Sequence, residues 1–241
     1  MSDFASANLT AGQLNALVKK VGGEERVLRV LRDELVLVVK EEIKEVSNIN
    51  LAKVYDHCGL TQEYEEAQKG FDLTEDPNLW KLLMVKGLTM EKVISAYQKA
   101  GVELETFDVD LQKVINPERE QRNPNRDGTY LAGFRRKVEA DEENRNQPAD
   151  QREKQGCQDI TLMERLVIGL AYFLATGKHL DIKNWTLCAG SRHRNGNVPR
   201  VDFDPARGKV HVSWSSPGHH YDDLRARSVS VLPAKPREAV A

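Results

Sequence analysis

Two adjacent pairs of side chains with ligand chemistry, His219-His220 and Asp222-Asp223, lie within one short polar run, SSPGHHYDD at 215–223. Imidazole and carboxylate both suit divalent ions. Neighbours on an extended chain point to opposite faces, so each pair offers one ligand per face. Only His193 or His211 remains to complete a set, and an exposed polar loop is the plainer expectation. No Glu-Pro-Asn-like set accompanies them, and calcium wants several oxygen ligands together, so neither a metal nor calcium-type sugar binding is expected. Cys188, in TLCAGS, sits by a Gly-Ser turn where amide donors can serve a nucleophile. No motif of catalytic spacing accompanies it, and a buried strand thiol is the simpler reading. The residues predict no catalytic group and no cofactor.

The elements that must position this run are strands. Val210, Val212 and Trp214 alternate with polar residues before it, and Trp214 is expected to be buried beneath the loop. In LRARSVSV (224–231), Arg225 and Arg227 point the same way, opposite Leu224, Ala226 and Ser228, as on a strand with one solvated face. Upstream, WTLCAGS, VPRVDFD and KVHVSW repeat the period of two, each bounded by Gly, Pro, Asn or Asp. GTYLAGFRRKV (128–138) reads as a short strand. Thr161 with Glu164 forms a capping box opening an apolar helix, LMERLVIGLAYFLATG, closed by Gly177 and buried along Leu162, Leu166, Leu170, Phe173 and Leu174.

The first half reads as helical. Thr10 with Gln13 caps a helix through Val21, and Val27, Leu28, Leu31 and Leu35 give a second stripe. NLWKLLMVKG and LTMEKVISAYQKAG, ending at Gly101, are the clearest later pair. From 116 the composition turns polar, as in a linker, and EADEENRNQPADQREKQG reads as a solvated loop or exposed helix. The expected architecture is α+β: a helical region at 1–115, a linker at 116–127, a small domain of short antiparallel strands packed on an apolar helix at 128–234, and a tail at 235–241.

With 241 residues and a net charge of −2, the chain can bury one large or two small cores and carries no global field for nucleic acid. Between Thr186 and Ala241 nine Lys or Arg face five Asp or Glu, a bias too mild to change that. Cys58, Cys157 and Cys188 are scattered and odd in number, which fits a reducing compartment. No signal peptide or apolar span is visible, so the expected location is cytoplasmic, without a membrane partner.

One compositional change stands out. Lys, Glu and Gln are frequent up to 185, but from 186 to 234 there is no Glu, no Gln and one Lys, Lys209. Together TLMERLVIGLAYFLATGKHLDI, NWTLCAGSR and VSWSSPGHHYDDLRARSV resemble the C-type-lectin-like domain of the variable proteins of diversity-generating retroelements, which is related to formylglycine-generating enzymes. In those systems template adenines are replaced at random, mostly in AAC or AAT codons. Such codons reach Asn, Ser, Tyr, His, Asp, Arg, Gly and Thr but not Lys, Glu, Gln, Met or Trp. Arg192, His193, Arg194, Asn195, Asn197, Ser215, Ser216, His219, His220, Tyr221, Asp222 and Asp223 all fall in the reachable set, as does Ser191. The resemblance implies a non-enzymatic protein whose loops 191–197 and 213–223 contact a protein ligand. Tyr and Trp would supply rigid contact area and Ser, Asn and His adaptable hydrogen bonds. Strands and turns are independently poor in Glu and Lys, which leaves a lectin-like module of fixed sequence as an alternative. Two others are a nucleic-acid-associated regulator using helices such as EYEEAQ and MEKVISAYQK, and a degenerate formylglycine-type enzyme using Cys157 and Cys188.

Overall fold

The computed structural model describes Lys19, residues 48–108 and residues 110–236. The chain divides into two compact units, Met1–Glu45 and Val46–Ala241. The helices expected over 10–38 lie outside the described residues except at Lys19, which is helical.

The second unit opens with two helices, α1 (Leu51–Cys58) and α2 (Thr61–Gln68), then strand β1 (Leu79–Met84) and helix α3 (Met90–Lys99). Strand β2 (Glu103–Thr106) and two single-turn helices, α4 (Leu111–Val114) and α5 (Pro124–Asp127), lead to β3 (Tyr130–Arg135). The short α6 (Ala149–Lys154) precedes the long α7 (Leu162–Thr176). Five strands close the chain: β4 (Trp185–Leu187), β5 (Val198–Asp204), β6 (Lys209–Ser215), β7 (Leu224–Ala226) and β8 (Ser230–Leu232).

The expected α+β class is what the described residues form, with two sheets. One is antiparallel with order β1-β3-β8; the other is ordered β2-β6-β5-β4-β7. Its outer pairs, β2 with β6 and β4 with β7, are parallel, so the second sheet is mixed rather than antiparallel throughout. Helix α7 packs on both β1 and β5 and is buried on every side from Leu162 to Tyr172. That follows from apolar residues on every side of the helix, with the two charges in its first turns, Glu164 and Arg165, paired to Arg122 and Asp181. The Thr161–Glu164 capping box forms as expected, and Gly177 ends the helix in the left-handed region at φ 69°. Of the expected stripe, Leu162, Leu166 and Leu170 are buried and Phe173 and Leu174 half-buried.

Two expectations about local structure are corrected. NLWKLLMVKG is not a helix: Leu79–Met84 is a strand paired residue for residue with β3, from Leu79 opposite Arg135 to Met84 opposite Tyr130. A short apolar run satisfies either period, and the neighbouring strand decides. Residues 116–127 lie within the second unit, and Arg122 among them is buried against Glu164 of α7. The C-terminal LRARSVSV is likewise not one strand with a solvated face. Its first part pairs in the five-stranded sheet and its last part, Ser230–Leu232, with β3. Arg227 between them is buried on Asp181, and Arg225 is mostly buried on Glu142.

At the far end of α7, His179 stacks on Phe203 of β5 (3.8 Å between centroids) and Phe173 (4.8 Å). Burial between the rings, with the charge of Arg165 behind it, pulls its pKa from 6.5 to about 4. Between those values the unfolded chain binds the proton and the folded chain does not, so this stabilisation is full above 6.5 and fades as the pH falls toward 4. Melting temperatures over that range are expected to drop more steeply for the parent than for His179→Phe. Parallel profiles would show that the ring does not titrate as its packing requires. Burial pushes Asp202 and Glu120 upward, which opposes the trend, but both residues remain in both chains.

Candidate ligand-binding surface

The two faces of the five-stranded sheet differ. In the register of β5 with β6, Pro199, Val201 and Phe203 stand opposite Trp214, Val212 and Val210 and face the core and α7. Arg200, Asp202 and Asp204 stand opposite Ser213, His211 and Lys209 on the other face. At one end of this outer face, α6 contributes Ala149 to a small cluster with Leu187, Ala189, Val198 and Leu224, flanked by Trp185 and Tyr221.

The rest of that face carries a row of side chains running across the strands. Phe107, just past β2 and 72% exposed, meets the His211 ring edge-on at 5.4 Å. His211 Nδ1 lies 3.3 Å from Asp202 Oδ1. Next along β5, the Arg200 guanidinium lies over the Trp185 ring at 3.7 Å and 5.9 Å from that of Tyr221. Trp185 and Tyr221 meet edge-on at 5.9 Å, and Tyr221 leans on His219 at 4.2 Å. The row thus joins both charges to four kinds of ring on a rigid sheet, which suits contact with another molecule.

The expected contact residues divide into three groups. Arg194, Asn195, Ser216, His219, His220 and Asp222 are exposed, and His193, Asn197, Tyr221 and Asp223 are half-buried. Arg192 and Ser215 are buried, contrary to their expected place on the surface. Arg192 donates to the Ala189 and Ser191 carbonyls and pairs with Glu153 at 2.7 Å, fixing α6 to the strand end. Ser191 is buried too, its hydroxyl accepting from the Leu162 amide at the start of α7. Ser215 points into the small cluster's side of the sheet beside Val198, and its hydroxyl has no partner among the described residues.

The two loops are held by different neighbours. Residues 192–194 bond to Asn116 and Val114, and His193 packs edge-on against Trp214 at 4.6 Å. The 216–223 loop is tied to α6 and its approach: the Asp150 amide donates to the Pro217 carbonyl, and Arg145 Nε to that of Asp222. Trp214 is therefore half-buried at the sheet's end, not sealed beneath the second loop as its alternation suggested.

Phe107, Trp185, Arg200 and Asp202 were not singled out by sequence reasoning, and His211 was named only as a possible metal ligand. The signal for Arg200, Asp202 and His211 was the polar position at every second residue in VPRVDFD and KVHVSW, which by itself reads as a solvated face. His219-His220 and Asp222-Asp223 sit in a turn, not on a strand, and no group of three or more potential metal ligands forms among the described residues. Cys188 is fully buried, and burial pushes its thiol far above the ordinary value, opposite to what activates a nucleophile. No protein family, curated protein or solved structure matches the chain.

Proposed function

We propose that the chain is a non-enzymatic binding protein with a C-type-lectin-like scaffold, displaying a diversified surface to a protein ligand as retroelement variable proteins do. The observation that carries this reading is the row from Phe107 to His219 on the outer face of a sheet whose other face is core. Of the strand residues on that face, Arg200, Asp202, His211 and Ser213 belong to the set that AAC or AAT codons reach, as do the exposed loop residues. Trp185 and Lys209 do not, and they would be scaffold positions. Binding residues gather where a rigid element holds them, and here a five-stranded sheet does so. The buried Cys188 thiol weighs against the cysteine-based alternative, and the mixture of Asp202 with Arg200 and His211 weighs against a phosphate-tracking surface.

The test is the sequence of the surrounding locus. A reverse-transcriptase gene and a near-copy of the codons for 186–231, differing from them only at adenines, are expected. Mismatches spread over all four bases, or no second copy, would remove diversification and leave a module of fixed sequence.

A further inference from the structure

Among the described arginines, Arg200 is alone in having a side chain that makes neither a hydrogen bond nor an ion pair with the described residues; its guanidinium lies against the rings of Trp185 and Tyr221. The contrast is sharp. Arg122 sits on Glu164, Arg152 on Asp159, Arg165 and Arg227 on Asp181, Arg192 on Glu153 and Arg225 on Glu142. Arg200 is half-buried, and burial lowers its pKa, the mark of a guanidinium that has lost water. Desolvating a charge without giving it a partner costs free energy, and a ring face returns only part of it. Stacking occupies a face of the guanidinium, whereas its five N–H donors lie in the plane and remain free to donate.

The surroundings narrow the ligand. Asp202 and Asp223 also place negative charge near Arg200, which offsets part of its attraction for any anion, so recognition has to rest on the geometry of the fork and the rings beside it. A guanidinium fork matches a carboxylate bidentately, and the rings of Trp185, Tyr221 and His219 beside it offer apolar area to the carbon next to that carboxylate. We propose that Arg200 is the anchor of the contact surface and takes the side-chain carboxylate of an acidic residue on the protein ligand, with Trp185 holding the guanidinium in place. This rests on the binding-surface reading above.

The test is a titration of the full ¹⁵N-labelled chain, following the Arg200 Nε–Hε resonance and the Trp185 indole N–H, with Arg200→Lys supplying the assignment. The probes are N-acetylglutamate α-amide, the isosteric N-acetylglutamine amide and inorganic phosphate. The carboxylate probe is expected to shift both resonances saturably in the millimolar range, and the neutral amide to leave them in place. In Arg200→Lys, which keeps the charge but not the fork, the indole response is expected to weaken about tenfold, the loss that one charge-assisted hydrogen bond carries. Equal shifts from the two amides, a stronger response to phosphate, an undiminished response in Arg200→Lys, or no shift at all would each overturn the proposal. The spectrum of the unliganded variant shows directly whether it has folded. A failed titration alongside an adenine-specific template copy sinks the carboxylate anchor alone. A missing copy sinks diversification and leaves the titration to decide Arg200.

Discussion

Asp181→Asn is expected to destabilise the protein by about 3–5 kcal/mol, the cost of leaving buried charge uncompensated. The carboxylate is fully buried and receives Arg165 Nε at 2.8 Å, Arg227 Nη2 at 2.6 Å and the Thr186 hydroxyl. Asparagine keeps the shape and tolerates the left-handed backbone at 181 (φ 56°), and it removes the charge while turning one accepting oxygen into an NH2 that faces a donor. Two buried guanidinium groups would then share no counter-ion. Arg227 keeps the Lys137 and Val138 carbonyls, which satisfy its N–H groups but not its charge. Against a typical total of about 5–15 kcal/mol this is a large fraction, and a fall in melting temperature of about 10 °C is expected. Adding Arg227→Met should restore part of the loss by removing one of the orphaned charges. A single-variant loss under about 1 kcal/mol, as for an exposed pair, would mean that water reaches the cluster.

Glu164 carries the second large effect because one side chain does three things. It accepts from the Thr161 amide in the capping box at 2.8 Å, from Arg122 Nε and Nη2 at 2.9 and 3.0 Å, and from the Tyr130 hydroxyl at 2.8 Å. Glu164→Ala is expected to cost about 3–5 kcal/mol through the stranded Arg122, with about 1 kcal/mol more for the cap. Glu164→Gln keeps one oxygen that can still cap Thr161 but removes the charge and turns the other oxygen into an NH2 facing a donor, so it should retain the smaller part and lose the larger. Urea denaturation of both variants separates the two. If glutamine recovers nearly all the stability lost in alanine, the cap and not the ion pair holds this corner.

These two carboxylates also mark where the sequence was legible. Thr161 and Glu164 are three residues apart, and a helix start is decided within such a distance, so the capping box and the Gly177 stop could be read directly. The strands 198–204 and 209–215 could be read as well, because alternation and a tight turn are local. What Glu164 and Asp181 hold was not legible. Arg122 lies 42 residues from Glu164, and Arg227 lies 46 from Asp181. Charge at such separations reads as solvated surface until the fold brings a partner. Hence 116–127 looked like a linker and Arg227 like an exposed edge. The same limit hid the row of rings and charges on the outer face. Arg200 becomes distinctive only when Trp185, from another strand, lies under it, and Arg192 leaves the surface only when Glu153 meets it.

The split of the C-terminal segment between the sheets bears on how the chain is made. Ser230 pairs with Gly133, synthesised nearly a hundred residues earlier, and Leu224–Ala226 lies alongside β4 in parallel just before. Neither sheet is complete until the last strands leave the ribosome. Pairings so distant in sequence slow folding, because the loop must close before the contacts reward it. The N-terminal strand β1 thus waits with its partner β3 for an edge that arrives last. A chain cut short or shifted in frame between 186 and 220 would forfeit β8 as well as part of the row on the outer face. Both sheets therefore depend on a message that runs to its end.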